Sequence, residues 1–172
     1  ETIYIKPPAK RSIRSIVKYA DISLNSELAT IQLLSDEAQR QNKIHKVFIM
    51  IELGDLREGI MGENLMAFYE KVFQLKGINV MGLGTNLSCL NGILPNADKL
   101  VQLSLYKQLI EAKFNRKIPL VSGGTSVTIP LLDLNQIPAG INHFRVGESL
   151  FRGNNLLEEN QFSGMKDDVF IL

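Results

Sequence analysis

The sequence predicts an α/β fold with a parallel sheet, and within that class part of a (β/α)8 (TIM) barrel with about six βα units. Three observations support this prediction. Short apolar runs alternate with segments of helical spacing, as in parallel sheets covered by helices. Runs such as Val47–Leu53 are almost continuously apolar, which indicates strands buried on both faces. Two glycine–serine turns, in VSGGTS and FRVGES, follow the last two runs, and barrels often hold a phosphate between those loops.

The individual elements follow from the apolar runs and the spacing between them. The expected strands are Thr2–Ile5, Ala20–Leu24, Val47–Leu53, Ile78–Gly84, Ile118–Val121 and Ile141–Val146. The apolar residues expected on one face of each of four helices are Ile13, Ile16 and Val17; Leu28, Ile31, Leu34 and Ala38; Leu65, Phe68, Val72 and Leu75; and Val101, Leu105, Leu109 and Phe114. Asn25 or Ser26 can cap the second helix, Gly77 follows the third as a stop signal and Pro95 opens the fourth.

An open doubly wound sheet is the alternative architecture. A dinucleotide-binding fold of that kind should show G-x-G-x-x-G after its first strand, and no such motif follows Ile5. The pair of glycine–serine turns favours the barrel instead. A whole barrel typically needs about 250 residues, so these 172 residues are expected to supply only part of one. The start at Glu1 and the apolar end at 169–172 add the expectation of a piece of a longer polypeptide.

Composition limits the possible partners. The net charge is +1 and neither sign forms a long block, which argues against binding nucleic acid or an anionic membrane surface. No apolar run is long enough to span a bilayer and no signal segment is recognised, so a cytoplasmic location is expected. Cys89 is the single cysteine, and neither His45 nor His143 stands at ligand spacing from a carboxylate or another histidine. No disulfide framework or metal site is therefore expected.

Polar residues cluster at the ends of the expected strands, where barrels place their functional groups. Between Ser126 and Gly147, amide and hydroxyl groups could receive a phosphate dianion. Arg57 lies just beyond the third strand, where its guanidinium could bind a carboxylate through two hydrogen bonds. Arg145 lies within the last strand, so it either points into the barrel mouth or pairs with an acid, Glu148 or Glu52.

Each of these features also has a plainer interpretation. A single glycine turn after a strand is more often a tight turn than an anion site, and the second turn on the next strand reverses that preference. Arg57, taken alone, would more often be solvated beside Asp55 and Glu58. Asn86 could simply satisfy a loop.

The motifs MIELGDLREG, GLGTNLSC, VSGGTS and GINHFRVGESLFRG together resemble the alanine-racemase-type fold, a family of pyridoxal 5'-phosphate (PLP) barrels, and above all its ornithine racemase-like branch. The resemblance covers essentially all 172 residues. It implies that residues 1–156 form most of a PLP-binding (β/α)8 barrel of the alanine racemase type. Residues 157–172 would begin the connection to a C-terminal β domain, and the full-length protein would be a homodimer.

The resemblance also implies a role for each cofactor-binding residue. Ser126 and the backbone of Gly147 and Glu148 would hold the cofactor phosphate, with Thr125 beside it. Arg145 would face the pyridine nitrogen and keep it unprotonated, which makes the ring a weaker electron sink.

Two positions depart from the alanine racemases themselves. Asn86 stands where those enzymes carry a histidine that supports the arginine equivalent to Arg145. Met50 stands where they carry a lysine that positions the arginine near the substrate carboxylate, which Arg57 matches. These departures put alanine in doubt as the substrate and fit the ornithine racemase-like branch better.

The activity implied by the resemblance is racemisation of a basic amino acid, with ornithine first and lysine second. The substrate would form an external aldimine with PLP, and two bases on opposite faces would move its α-proton. The family's Schiff-base lysine lies on a strand that would precede Glu1, so the chain alone is expected to be inactive. No acidic pair for a distal ammonium is apparent in the sequence. The alternatives are a non-catalytic PLP barrel that manages free cofactor and a barrel that binds sugar phosphates.

Overall fold

Six parallel strands form one sheet in the order β1 to β6 in the computed structural model, which describes residues 1–89, 91–158, 160–167 and 169. The strands are β1 (Ile3–Tyr4), β2 (Ile22–Asn25), β3 (His45–Met50), β4 (Ile78–Gly84), β5 (Leu120–Thr125) and β6 (His143–Arg145). The helices are α1 (Ile13–Tyr19), α2 (Leu28–Arg40), α3 (Leu65–Val72), α4 (Ala97–Phe114), α5 (Pro130–Asp133) and α6 (Glu148–Arg152). The predicted α/β class, with about six βα units, is confirmed.

The sheet curves into half of a barrel. β1 and β6 lie at opposite ends of the strand order, yet Ile3, Ile5 and Arg145 line the same cleft. The rings of Phe48 on β3 and His143 on β6 lie 5.3 Å apart between centroids, although two strands separate them in the sheet. A small apolar cluster fills the face enclosed by this curvature, formed by Ile22, Leu24, Phe48 and Met50. The concave face is therefore the inside of the barrel, as the sequence predicts.

The larger core lies between the opposite face of the sheet and the helices. Ile31 and Leu34 of α2 and Leu65 of α3 are fully buried there against Val47 and Ile49 of β3. The apolar faces predicted for α1, α2 and α3 are confirmed, because each residue named for them is buried or packs partly buried against this core. Alternation along β3 thus sends one set of side chains to the helices and the other to the barrel interior.

The face predicted for α4 is wrong for three of its four residues, whereas Phe114 packs against the core. Val101, Leu105 and Leu109 are 42%, 51% and 55% exposed, whereas Leu100 and Ile110 are fully buried. Positions four apart lie near one another on a helix, so these three residues do share a face, but packing turns that face towards solvent and buries a second stripe that includes Leu100 and Ile110. The cap predicted for α2 is also wrong.

The side chain of Asn25 does not cap α2, because it hydrogen-bonds to the preceding Ser23 and not to the amides of the helix. Its Nδ2 donates to the carbonyl of Ser23 at 2.8 Å, so it leaves the first turn of α2 alone. Glu27 is the residue before α2, without a side-chain cap hydrogen bond, and Thr30 Oγ1 donates to its carboxylate at 3.1 Å. Side chains of this type often choose between local backbone partners, which a spacing rule does not resolve.

The C-terminal ends of β3 and β5 differ most from the prediction, and the ends of β1, β2 and β6 differ from it by one or two residues. β3 ends at Met50 because Ile51 bridges to Ile60 in the following loop, which returns alongside the strand end. β5 does not end before its two glycines: it continues through them to Thr125, with a register shift between Ser122 and Thr125. Such an irregularity bends a strand and re-aims the side chains that follow it.

His45 on β3 gives the fold a pH dependence that can be measured. It is 2% exposed, its Nε2 lies 2.9 Å from Ser23 Oγ, and burial lowers its pKa from 6.5 to about 4, with Lys43 adding to the effect. The unfolded chain takes up the proton first, so stability present at pH 7 is lost as the pH falls. We expect the free energy of unfolding to drop by about 2 kcal/mol between pH 7 and pH 5 in urea titrations.

His45→Gln is the matched variant, because an amide can still bond to Ser23 Oγ but carries no titrating proton. In this variant the free energy of unfolding should depend less on pH between pH 7 and pH 5. Burial and Arg145 lower the pKa of His143 as well, so a smaller slope of the same sign should remain. Equal slopes in the two proteins would contradict the assignment to His45.

Candidate functional site

The loops after β3, β4, β5 and β6 meet at one edge of the sheet, because all six strands are parallel. The side chains brought together there come from segments far apart in sequence. They include Arg57 after β3, Asn86 after β4, Ser126 after β5 and Arg145 at the end of β6. Parallel strands end at a common edge, and this edge carries the ligands in α/β folds.

Arg145 is held in place by three acceptors from neighbouring strands. Its Nη1 donates to Ser122 Oγ at 2.5 Å, and its Nη2 donates to the carbonyl of Thr85 at 2.9 Å and to Asn86 Oδ1. Thr85 and Ser122 are fully buried, so their oxygens depend on partners within the protein. The guanidinium thus has a fixed position between the ends of β4 and β5, and it is not an ion-pair partner of Glu148, which contacts Arg152 at 3.3 Å.

The charge of Arg145 survives its partial burial. Burial lowers its pKa to about 10, the nearby Glu58 carboxylate raises it, and the positive charge of Arg57 lowers it. A pKa of about 10 still leaves the guanidinium cationic at neutral pH. Arg145 therefore presents a fixed cation with N–H donors at the barrel mouth.

A chain of polar contacts links Arg145 to Arg57. Asn86 accepts from Arg145 and donates through its Nδ2 to Glu58 Oε1. Glu58 Oε2 lies 3.9 Å from Nε of Arg57, whose Nη1 lies 2.7 Å from the sulfur of the exposed Cys89. Asn86 thus contacts both the guanidinium of Arg145 and the carboxylate of Glu58, which lies beside Arg57. An amide can do this because it has both an acceptor and a donor end.

The loop that carries Asn86 is fixed from below by Asp55. The Asp55 carboxylate is 1% exposed and accepts from the backbone amides of Cys89 at 3.3 Å and Asn91 at 3.1 Å. Lys99 Nζ on α4 donates to the carbonyl of Leu53 at 2.6 Å. These contacts tie the loops after β3 and β4 together, so Arg57 and Asn86 are positioned by one unit.

The two glycine–serine turns lie against each other. Ser126 Oγ accepts from the amide of Gly147 at 3.3 Å and from the amide of Ser149 at 3.4 Å. Ser126 is 5% exposed and Ser149 is fully buried, and Ser149 Oγ has no hydrogen-bond partner in the described part of the chain. Two backbone amides therefore converge on the Ser126 hydroxyl between the ends of β5 and β6.

The glycines of these two turns occupy their positions for different physical reasons. A Cβ on Gly123 would lie 2.6 Å from Ile141 Cγ2, and one on Gly124, whose φ is +129°, would lie 2.3 Å from Thr128 Oγ1. Both glycines thus allow close packing of the protein against itself. A Cβ on Gly147 would meet nothing within 4 Å. Gly147 is consequently the glycine that borders open space, where a ligand can approach the backbone.

The residues around this point fit a phosphorylated aromatic cofactor such as PLP. A cleft of about 520 Å³ is lined by Thr125, Ser126, Arg145, Gly147 and Glu148, with apolar side chains on its other side. Its volume lies within the usual range for small-molecule sites. The Ser126 hydroxyl and the open space at the Gly147 backbone suit an anion that needs donors, and the fixed cation of Arg145 lies in the same cleft.

Two of the residues singled out in the sequence lie apart from this contact network. Glu148 lines the cleft, but its carboxylate is exposed and pairs with Arg152. Met50 is 1% exposed and packs inside the barrel with Ile22 and Phe48.

Sequence reasoning missed the contacts of two residues of this site, Ser122 and Glu58. Ser122 and Glu58 stand inside the quoted motifs VSGGTS and GDLREG, but nothing local to either motif indicates that they contact Arg145 or Asn86. Ser149 stands in FRVGES, and its buried, unsatisfied hydroxyl emerges only from the packing. Within the described ranges, no group of three or more His, Cys, Asp or Glu residues is placed to hold a metal ion. No helix among them combines the length and apolar character that a membrane span needs.

Comparison with known proteins identifies relatives over nearly the whole chain. The chain is 40% identical to the ornithine racemase of Acetoanaerobium sticklandii over 169 residues, which are 98% of this chain and 48% of that protein. It is 28% identical to the lysine racemase of Thermotoga maritima over 98% of this chain and 47% of that protein. The chain thus spans about half the length of the curated relatives it matches.

The fold is shared with solved structures at lower identity. PipY of Synechococcus elongatus, solved with PLP bound, matches with a TM-score of 0.69 at 17% identity, covering 84% of this chain and 67% of that one. The family described as alanine racemase, N-terminal domain, matches residues 2–155. A match of this extent, together with the half-barrel fold, shows that the chain belongs to the alanine racemase N-terminal domain family.

Proposed function

We propose that the full-length protein is a PLP-dependent racemase of basic amino acids, ornithine first and lysine second, and that this chain supplies most of its cofactor site. The identities to an ornithine racemase and a lysine racemase support the substrate class. The observation that carries the proposal is the cleft in which the Arg145 cation lies beside the paired turns of Ser126 and Gly147.

The chain's own residues would hold the cofactor at both ends. The hydroxyl of Ser126 and the backbone amides of Gly147 and Glu148 would donate to the phosphate oxygens, with Thr125 beside them. Arg145 would donate to the pyridine nitrogen, and because Arg145 keeps its own protons at neutral pH, that nitrogen would stay unprotonated. PLP, when bound, supplies an electron-withdrawing ring that weakens the Cα–H bond of an amino acid joined to it.

Two further side chains would act around the substrate. Arg57 would bind the substrate carboxylate through its guanidinium, and its contacts with Glu58 and Cys89 limit where that guanidinium can lie. Asn86 would orient Arg145 and would tie its position to that of Glu58. The Schiff-base lysine, the homodimer, the cytoplasmic location and the boundary at residue 156 stay predictions.

Replacing Ser126 by alanine tests the phosphate site. We expect the Kd for PLP to rise about tenfold, since a hydrogen bond to a charged group is lost. The Kd for pyridoxal, which lacks the phosphate, should not change. Both are measured by fluorescence titration of the full-length protein, with Ser15→Ala on the exposed face of α1 as the control.

The same titration separates the proposal from its alternatives. If simple phosphate esters bind as tightly as PLP, a sugar-phosphate barrel is the better assignment. If PLP binds but L-ornithine and L-lysine are not converted to their D-enantiomers, a non-catalytic PLP barrel is favoured. If Ser126→Ala raises the Kd for PLP and the Kd for pyridoxal by the same factor, the phosphate does not bind at Ser126.

A further inference from the structure

A second cleft opens at the same edge of the sheet, beside the loop of Arg57. It has a volume of about 570 Å³ and is lined by Pro7, Asn25, Glu27, Arg57 and Glu58, among others. These residues lie at or beyond the C-terminal ends of β1, β2 and β3, whereas the cleft with Ser126 and Gly147 lies at the ends of β5 and β6. The contact chain through Asn86 connects the two clefts, because Glu58 lines the second one and Asn86 contacts Arg145 in the first.

The charges in this second cleft are arranged around one cation. Arg57 has a single carboxylate, Glu58, within 4 Å among the described residues, and that carboxylate also accepts from Asn86. Glu27 is exposed, and one of its oxygens accepts from Thr30 Oγ1 at 3.1 Å. A carboxylate has about four lone-pair sites, so Glu27 can accept further hydrogen bonds from a ligand.

Asn25 supplies an independent indication of a missing donor. It is 2% exposed and lines the cleft, and its Oδ1 has no hydrogen-bond partner in the described part of the chain. Its Nδ2 donates to the carbonyl of Ser23 at 2.8 Å and to Ser23 Oγ at 3.0 Å, so the amide orientation is held from the other end. A buried acceptor without a partner is costly, and a ligand with N–H donors would remove that cost.

We infer that this cleft binds the side-chain ammonium group of the substrate, with the Glu27 carboxylate and Asn25 Oδ1 as its acceptors and Arg57 as the partner of the substrate carboxylate. The inference rests on the proposed function for the carboxylate end, and it names the residues that select a basic side chain. An ammonium group has three donors and no acceptor, which matches a cleft lined by both a carboxylate and an unsatisfied amide oxygen. An acidic side chain would be repelled by Glu27, and a neutral one would leave Asn25 unsatisfied.

The test is Glu27→Gln in the full-length protein, with ornithine and norvaline as probes. Norvaline has the same carbon chain as ornithine but lacks the side-chain ammonium. We expect the Kd for ornithine, measured by calorimetry, to rise about threefold to fivefold. The variant loses the charge of the Glu27 carboxylate, and exposed ion pairs contribute little free energy. The Kd for norvaline should not change. Glu70→Gln on the exposed face of α3 makes the same charge change outside the cleft and should affect neither ligand.

The binding of 1,4-diaminobutane distinguishes the failure of this inference from the failure of the proposed function. It carries ammonium groups and no carboxylate, so its binding does not depend on racemisation. If it binds and Glu27→Gln weakens it while no amino acid is racemised, the ammonium site stands and the racemase assignment does not. If racemisation is found but Glu27→Gln changes ornithine and norvaline equally, the ammonium site is overturned and the racemase assignment stands.

Discussion

Gly124→Ala is expected to lower the free energy of unfolding by about 3 kcal/mol, which corresponds to a fall of about 6–12 °C in Tm. Gly124 has a φ of +129°, which side chains rarely adopt, and its added Cβ would lie 2.3 Å from Thr128 Oγ1. Thr128 is fully buried and its hydroxyl donates to the carbonyl of Gly123 at 3.3 Å, so it has little room to move. Urea unfolding followed by circular dichroism measures the change.

Two glycine controls separate the causes of this loss. Gly92 also has a positive φ, of +67°, but a Cβ there meets nothing within 4 Å. Gly92→Ala should therefore cost only the backbone strain, about 1 kcal/mol. Gly147→Ala has neither strain nor contact within the protein and should leave the unfolding curve unchanged. If Gly124→Ala lowers the free energy of unfolding no more than Gly92→Ala does, the close approach to Thr128 does not destabilise the variant.

Arg145→Gln is expected to lower the free energy of unfolding by about 3 kcal/mol. The substitution removes the guanidinium donors to the Thr85 carbonyl, Asn86 Oδ1 and Ser122 Oγ, and a glutamine amide cannot reach all three. Ser122 Oγ keeps its 2.9 Å contact with His143 Nδ1, so the main loss is at the other two acceptors. Thr85 and Ser122 are fully buried, so water cannot take the place of the guanidinium without rearrangement. Urea unfolding of both proteins measures the difference.

Arg145→Lys and Arg152→Gln are the comparison variants. Lysine keeps the charge but lacks the planar fork of donors, so it should recover only part of the loss. Arg152 lies on α6, and its side chain is 71% exposed and pairs with Glu148 at the surface. Arg152→Gln should therefore change the free energy of unfolding by no more than about 0.5 kcal/mol. Full recovery by lysine would mean that charge alone, not the arrangement of three acceptors, holds this strand end.

Local patterns were enough for the elements of the fold. The six apolar runs and the apolar faces of α1 to α3 are properties of neighbouring residues, and each was identified from spacing alone. The two glycine–serine turns were also identified in this way, because their residue types are unusual after a strand. The stop predicted at Gly77 is wrong, because α3 already ends at Val72 with Phe73 as its C-cap. Periodicity failed for α4, whose apolar residues form two stripes, because only packing decides which stripe faces the sheet.

The sequence by itself therefore determined the α/β class, the order of the strands and the residue types at their ends. Which of those residues touch was decided by the tertiary structure, because the ends of parallel strands meet only once the sheet has formed. Ser122 supports Arg145 from 23 residues away, and Glu58 meets Asn86 across 28 residues. Glu27 and Asn25 likewise become ligand groups only beside Arg57. Curvature of the sheet sets these distances, and it is a property of the whole core.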